Sequence, residues 1–119
     1  MNTTHSTTEE SLPYTVVGGR HVDRAVTPGA QITLVVLNRG RSVDRSGFFD
    51  RLLDAGFSDV LSVENAGSHY DVEALSRAHR DVRFLLLKRH TSLGEQVNVS
   101  MQEARGRFVY VIWNDMKVA

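Results

Sequence analysis

The sequence predicts an α/β fold in which a mostly parallel sheet lies between two layers of helices. Three observations support this three-layer αβα arrangement: four short segments rich in β-branched and aromatic residues, helical patterns between them, and short connections. Strands and helices that alternate in this way form right-handed crossovers, which bury a parallel sheet between helices. The length of 119 residues is typical of a single domain.

The first strand and the first helix have clear patterns. Residues Ile32 to Leu37 are apolar without alternation, as expected for a strand that is buried on both faces. Gly56 stands where a glycine commonly ends a helix. The helix before it is predicted from apolar residues at helical spacing: Phe48, Phe49, Leu52 and Leu53.

The middle of the chain repeats the same order. Asp59 to Val63 predicts a second strand, and Val82 to Leu87 predicts a third. Between them, Val72, Leu75 and Ala78 recur at offsets that indicate a second helix. The third strand therefore follows the second through a helical crossover.

The last helix begins at a capping box. Ser92 and Glu95 have the spacing at which the two side chains satisfy free backbone donors. Gly106 is expected to end the helix, and Phe108 to Trp113 predicts the fourth strand. The face predicted to be buried, with Met101 in the core, consists of Val97, Met101 and Ala104.

The first 30 residues have no sustained periodicity, so residues 1–30 are predicted to form a flexible N-terminal arm. Within them, Tyr14 to Val17 could add a short edge strand that is closed by Gly18 and Gly19. The turn residues Thr27 to Ala30 indicate that the domain proper covers residues 31–119.

Composition excludes several classes of protein. The 14 basic and 14 acidic residues give no net charge, which disfavours nucleic-acid binding and a polybasic membrane surface. There is no cysteine for a disulfide or a thiolate metal site. The apolar runs are too short for a transmembrane segment, and no signal-peptide pattern is present. A cytoplasmic protein is expected.

Polar residues follow each of the four predicted parallel strands. Ligands of such sheets bind at the carboxyl ends of the strands, so these residues predict a ligand crevice. The glycine-rich loops of dinucleotide and P-loop sites and the nucleophile elbow of serine hydrolases are absent from the sequence. The residues that follow the strands are Asn38-Arg39, Glu64-Asn65, Lys88-Arg89-His90 and Asn114-Asp115.

Asp115 is the candidate metal ligand. A strand-end carboxylate together with a diphosphate can hold Mg²⁺ or Mn²⁺, which prefer oxygen ligands. The metal would neutralise the charge that builds on a diphosphate leaving group. From spacing alone a structural role is favoured, because aspartate commonly starts turns and caps helices.

Four motifs in order resemble family 2 glycosyltransferases. In that family the first strand often ends in Asn-Arg, and the second strand carries Val-Asp-Asp/Asn-Gly-Ser. A later helix contains spaced Gly, Asn and Ala-x-Gly residues, and the strand after it carries Asp-x-Asp. The resemblance covers about residues 31–118. The matching segments are Ile32 to Arg39, Ser62 to Ser68, Leu93 to Gly106, and Phe108 to Asp115.

The resemblance implies a GT-A fold, which is Rossmann-like, and the nucleotide-binding half of an inverting, metal-assisted glycosyltransferase. The implied donor is a nucleotide-diphosphate sugar, and the implied cofactor is Mn²⁺ or Mg²⁺. Asp115 matches the second acid of Asp-x-Asp and is the implied metal ligand. The implied nucleotide-binding residues are Leu37, Asn38, Arg39, Glu64, Asn98 and Asn114.

The sequence departs from the family pattern at three places. Glu64 replaces the usual aspartate, and Gly94 lies closer to Asn98 than in many relatives. Trp113 stands where the first acid of Asp-x-Asp belongs, and tryptophan cannot ligate a hard cation. Three outcomes are open: Asp115 binds the metal alone, a slipped register lets Asn114 contribute, or metal binding is lost.

The family's acceptor-binding half and its general base are expected beyond residue 119. General-base catalysis typically contributes about 10²–10⁴-fold, so the 119-residue chain alone is expected to be inactive in transfer. Exposed sheet edge or apolar surface makes a homo-oligomer an additional expectation. The alternative function is a non-catalytic nucleotide or nucleotide-sugar binding module. A receiver-type signalling domain is disfavoured, because Asn38 and Arg39 stand where paired acids would end its first strand.

Other polar and aromatic residues are expected to be structural. Residues 88–90 are predicted to form a solvated basic loop. Trp113 is expected to close the edge of the core rather than to stack on a ligand. The remaining candidates are assigned to loop or helix surface: His69, Tyr70 and His79.

Overall fold

A computed structural model of the chain describes residues 13–19, 32–38, 45–65 and 71–114. Helices and strands alternate along these residues, which confirms the predicted α/β class. The elements, in chain order, are β1 (Tyr14–Gly18), β2 (Ile32–Leu37), α1 (Arg45–Asp54), β3 (Asp59–Glu64), α2 (Val72–Ala78), β4 (Val82–Leu87), α3 (Leu93–Glu103) and β5 (Phe108–Trp113).

The sheet has the strand order β1-β4-β3-β2-β5. Strands β2 to β5 are parallel, and β1 pairs antiparallel with β4 at one edge. Helices α1 and α2 pack on one face of the sheet and α3 packs on the other, so the predicted three layers are confirmed. The strand order reverses direction between β2 and β5. In open α/β sheets this is the place where a crevice forms at the carboxyl edge.

The edge strand proposed from residues 14–17 is present as β1. It runs beside β4 with Tyr14 opposite Leu87 and Gly18 opposite Arg83. The predicted boundary at residue 31 therefore does not separate this strand from the sheet. The rest of residues 1–30, including the proposed turn at 27–30, lies outside the described residues.

Helix α1 ends as its glycine predicted. Gly56 has φ +102°, the Gly56 N–H donates to Leu53 O (3.0 Å), and the Phe57 N–H donates to Leu52 O (3.4 Å). These two bonds form the Schellman motif, which satisfies carbonyls at the end of the helix. The chain then turns directly into β3.

The buried face of α3 differs from the prediction. The capping box of Ser92 and Glu95 is present, but Met101 is 56% exposed and is not a core residue. The helix buries Gln96, Val99 and Ser100 instead. Two causes explain the error: Ala104 is an extended C-cap outside the helix, and the small Ser100 permits close contact with the sheet while its hydroxyl donates to Gln96 O.

His79 is buried, so its predicted position on the surface is wrong. It follows the last turn of α2, where its N–H donates to Leu75 O, and only 4% of it is exposed. Its Nε2 lies 2.7 Å from Ser46 Oγ, and its ring packs 5.6 Å from that of Phe49. A polar ring can be buried here because α1 supplies both a hydrogen-bond partner and an aromatic neighbour.

A buried polar network joins the elements at the amino edge of the sheet. The Thr33 hydroxyl donates to Asp59 Oδ2 and accepts from the N–H groups of Arg105 and Gly106, so its hydrogen-bonding capacity is full. Arg83, which is 1% exposed, donates to Asp59 Oδ1 at 3.0 Å and to the carbonyl of Glu103 at 2.8 Å. A buried ion pair needs such additional hydrogen bonds to offset desolvation.

Substituting Gly19 should be much more harmful than substituting Gly56. Both have positive φ, which costs a residue with a Cβ about 1–2 kcal/mol. A Cβ at Gly56 meets open space, whereas a Cβ at Gly19 would lie 1.9 Å from Cγ of the buried Arg83. Gly56→Ala should therefore lower the free energy of unfolding by about 1–2 kcal/mol, and Gly19→Ala by at least about 3 kcal/mol. Urea denaturation measures both values, and equal losses would contradict the close contact.

The free energy of unfolding should decline at alkaline pH, and part of this decline should depend on Tyr14. Burial, together with a 2.7 Å hydrogen bond to the Glu103 carboxylate, raises the pKa of Tyr14 to about 12. The unfolded value is about 10, so the folded state holds this proton more tightly. The stabilisation is complete below about pH 10 and is lost as the pH rises through the folded pKa.

Tyr14→Phe should therefore flatten the decline of unfolding free energy between pH 10 and pH 12. Urea denaturation across this range measures the decline. The ultraviolet titration of wild type minus that of Tyr14→Phe should give a midpoint near pH 12. A midpoint near pH 10 in the folded protein would contradict the assignment.

Candidate functional site

Three strand-end residues meet at the carboxyl edge of the sheet. Asn38 follows β2, Glu64 ends β3, and Asn114 follows β5. The Asn114 side-chain amide donates to Asn38 Oδ1 at 3.1 Å, and the Asn38 amide donates to Glu64 Oε2 at 3.1 Å. The backbone N–H of Asn114 also donates to Leu37 O at 2.9 Å. The topology therefore brings these residues into one continuous set of hydrogen bonds.

Asn38 lies at the centre of this set. Its Nδ2 is within hydrogen-bond distance of Ser62 Oγ (3.1 Å), Val63 O (2.6 Å) and Glu64 Oε2 (3.1 Å). An amide nitrogen carries only two hydrogens, so these three acceptors share them. Asn38 thereby fixes the end of β2 against the end of β3, and its side chain is engaged within the protein.

Glu64 is fully buried and is held by three donors. Besides Asn38, its Oε2 accepts from Ser62 Oγ at 2.7 Å and from Arg45 NH2. The Glu64 side chain is 0% exposed and that of Arg45 is 11% exposed. The Arg45 NH1 group donates to Asp71 Oδ1 at 2.7 Å. The strand-end cluster therefore consists of Asn38, Arg45, Ser62, Glu64, Asp71 and Asn114.

Arg45 and Asp71 were not identified from the sequence. Arg45 is the first residue of α1 and Asp71 is the N-cap residue of α2. Each lies at the start of a helix, where polar residues are common. The partnership joins positions 26 residues apart in sequence. The only local signal was an aspartate just before a helix, which predicts a cap but not an arginine partner.

A second contact ties β3 to the loop before α3. Asn65 Nδ2 donates to Thr91 O at 3.1 Å, while the N–H and hydroxyl of Thr91 donate to Asn65 Oδ1 at 2.9 and 3.1 Å. The basic residues just before Thr91 are exposed, as expected for a solvated loop. Among them, Arg89 donates to the Glu95 carboxylate, and this hydrogen bond lowers the pKa of Glu95.

Other predicted site residues lie elsewhere. The Leu37 side chain is 1% exposed and belongs to the core on the α3 face, so only its backbone faces the cluster. Asn98 is exposed on α3, and the described hydrogen bonds do not join it to the cluster. Trp113 is half-buried against the core, which agrees with its expected role of closing the core edge. Arg39, Asp115, His69 and Tyr70 lie outside the described residues.

The strand-end cluster contains charges of both signs. It holds two carboxylates, Glu64 and Asp71, and one guanidinium, that of Arg45. The described cluster therefore has one more carboxylate than guanidinium, and Lys88 and Arg89 follow β4 at the same edge of the sheet. In the part of the chain that the structure describes, no three histidine, aspartate or glutamate residues form a metal-binding group. Asp115, the candidate metal ligand, follows Asn114 directly in the sequence and lies outside that part.

The sequence and fold were compared with known proteins. No family model matches the chain, and neither the curated proteins nor the solved structures gave a match. Among the described helices, none combines the length and apolar character needed to cross a bilayer.

Removing the charge of Arg45 should strongly destabilise the fold. Arg45→Met removes the guanidinium that pairs with the buried Glu64 carboxylate, so we expect the free energy of unfolding to fall by about 3–5 kcal/mol. The double variant Arg45→Met/Glu64→Gln removes that charge as well and should recover much of the loss.

The matched control is Arg77→Met, which breaks an ion pair whose partners are 73% and 80% exposed. Such exposed pairs contribute about 0.3–0.5 kcal/mol. Urea denaturation measures all three variants. If Arg45→Met and Arg77→Met had equal effects, the proposed dependence of Glu64 on Arg45 would be wrong.

Proposed function

We propose that this chain is the donor-binding segment of a glycosyltransferase, and that it holds a nucleotide-diphosphate sugar at the carboxyl edge of its sheet. One observation carries the proposal: the polar ends of β2, β3 and β5 converge beside the point where the strand order reverses. Nucleotides bind at this place in open α/β sheets. The four motifs that resemble family 2 glycosyltransferases support the same reading.

The cluster residues have different roles in this proposal. Glu64 is buried and already bonded, so we assign it to positioning Asn38 and Arg45 rather than to contact with the base. Asn38 and Asn114 hold the ends of β2 and β5 together. In the proposal, the Leu37–Asn38 backbone forms one wall of the base and ribose pocket. Arg39, which follows Asn38 in sequence, is a proposed nucleotide-binding residue through the family resemblance.

Asp115 is the proposed metal ligand. The carboxylates of the cluster support a requirement for a divalent cation, because Mn²⁺ or Mg²⁺ would offset the repulsion between them and a diphosphate. Such an ion also stabilises a diphosphate leaving group as a Lewis acid. Asn98 is a proposed contributor near the diphosphate or ribose through the family resemblance alone.

The rest of the proposed reaction involves groups outside these 119 residues. In the proposal, a general base and an acceptor site in a longer chain complete an inverting transfer in the cytoplasm. In the proposal, the acceptor is a sugar, a lipid or a protein. Neither nucleic acid nor a membrane is a proposed partner.

A second candidate is a non-catalytic module that binds a nucleotide or nucleotide sugar. Trp113 favours it, because this residue occupies the position of the first acid of Asp-x-Asp and is half-buried against the core. A site with one acid fewer than the Asp-x-Asp motif has a lower affinity for the metal. This favours a role in binding over a role in metal-assisted catalysis. The two candidates differ in their dependence on metal.

Thermal-shift titration with UDP, GDP and dTDP, each with and without Mn²⁺, tests the proposal. One nucleotide should stabilise the protein, and Mn²⁺ should increase the effect. A ligand at 100 times its Kd stabilises a protein by about 2.7 kcal/mol. Asp115→Asn should abolish the contribution of Mn²⁺, while Asp81→Asn, at an exposed aspartate in the turn before β4, should leave it intact. If a nucleotide stabilises the protein equally with and without Mn²⁺, the binding module is favoured. If no nucleotide stabilises the protein, both candidates are excluded.

A further inference from the structure

A serine, a histidine and an aspartate meet where α1 packs against the end of α2. Ser46 Oγ lies 2.7 Å from His79 Nε2, and Asp50 Oδ1 lies 3.5 Å from His79 Nδ1. Ser46 and Asp50 are four residues apart on α1, so they share one face of that helix. The two ring nitrogens of His79 therefore contact a hydroxyl and a carboxylate of the same helix. None of the three residues belongs to the strand-end cluster.

The carboxylate of Asp50 selects which ring nitrogen carries the proton. A neutral imidazole has one N–H group and one bare nitrogen. A carboxylate only accepts hydrogen bonds, so Asp50 favours the tautomer with hydrogen on Nδ1. The bare Nε2 then accepts from the Ser46 hydroxyl. Nucleophile, general base and orienting group have this relation in enzymes that act through a serine.

The exposure of the three side chains suits the same roles. The His79 side chain is only 3% exposed, whereas Ser46 is exposed at the start of α1. The hydroxyl is accessible to a reactant, while its base is shielded from solvent. The His79 N–H donates to Leu75 O at 2.8 Å, and the His79 ring packs against Phe49. These contacts hold the base in one orientation.

The backbone around Ser46 favours negative charge. Ser46 is the second residue of α1, and the first N–H groups of a helix have no carbonyl partner within it. The amino end of a helix also carries a partial positive charge. When a hydroxyl attacks a carbonyl group, the negative oxygen is bonded to the carbon that the hydroxyl holds. At Ser46 this charge would develop beside the first turn of α1.

We propose that Ser46 is a nucleophile that accepts an acyl group, with His79 as its general base and Asp50 as the positioning residue. The acyl donor is a carboxylic ester with a weakly basic leaving group, such as an aryl ester. A basic leaving group would need a proton from a general acid, and the buried His79 ring is poorly exposed for that task. The inference does not depend on the proposed function.

The proposed step forms one C–O bond and breaks another. Ser46 Oγ attacks the carbonyl carbon of the ester while its proton passes to His79 Nε2. The tetrahedral intermediate then expels the aryloxide, which leaves with the electron pair of the broken C–O bond. His79 releases the proton to solvent, and the acyl group remains on Ser46 as an ester.

Acetylation by p-nitrophenyl acetate tests Ser46 as the nucleophile. Peptide mapping by mass spectrometry locates the acetyl group and follows its appearance with time. The wild-type chain should carry an acetyl group on Ser46, and Ser46→Ala should lose it. The matched control is Ser76→Ala on α2, because the Ser76 hydroxyl donates to Glu73 O at 2.9 Å. This control should leave the acetylation of Ser46 unchanged.

Two further variants test the base and the orienting group. His79→Gln removes the base, so the rate of Ser46 acetylation should fall by about 10²–10⁴-fold. Asp50→Asn should fall by about two- to fivefold, the equivalent of an exposed ion pair, since the Asp50 side chain is 66% exposed. Circular dichroism checks that each variant is folded.

Asp50→Asn keeps the proposal testable if His79→Gln does not fold, because Asp50 is on the surface. An unmodified Ser46 in the wild-type chain would overturn the proposal. So would a rate of Ser46 acetylation that Asp50→Asn, or a folded His79→Gln, leaves unchanged.

Discussion

The buried carboxylate of Glu64 is the constraint on which the carboxyl edge depends. A carboxylate with no exposure to solvent is stable only with donors around it, and here Asn38, Ser62 and Arg45 supply them. Meeting that requirement fixes the end of β2, the end of β3 and the start of α1 relative to one another. Asn114 then adds the end of β5 through Asn38. A strand-end pocket can form there because these four chain segments are held in one place.

The opposite edge of the sheet obeys the same rule with other residues. Asp59 is buried beside Arg83 and accepts a second hydrogen bond from the Thr33 hydroxyl. The same hydroxyl accepts a hydrogen bond from the backbone of Gly106, in the turn between α3 and β5. The parallel sheet therefore has a polar network at each end and apolar layers in between. The network at the amino edge includes the buried residues Thr33, Asp59 and Arg83, and the one at the carboxyl edge includes the buried residues Ser62, Glu64 and Asn114.

Much of the fold could be predicted because its signals are local. The apolar run of β2, the glycine after α1 and the capping box of α3 each depend on residues a few positions apart. The errors came from tertiary structure. Met101 has helical spacing to Val97, but the sheet selects the face that carries Val99 and the small Ser100. His79 is polar and follows a helix, yet a serine and a phenylalanine of α1 enclose it.

The candidate site was predictable in part for the same reason. Topology implied that Asn38, Glu64 and Asn114 would meet, whereas the ion pairs of Arg45 depend on how the first turns of α1 and α2 pack together.

The central claim is that the carboxyl edge of the sheet binds a nucleotide. The most direct measurement is an NMR titration of isotope-labelled protein with UDP, GDP and dTDP in the presence of Mg²⁺. We expect one of them to shift the side-chain amide signals of Asn38 and Asn114. Saturating nucleotide that moves neither signal, or moves only signals remote from this edge, would contradict the claim.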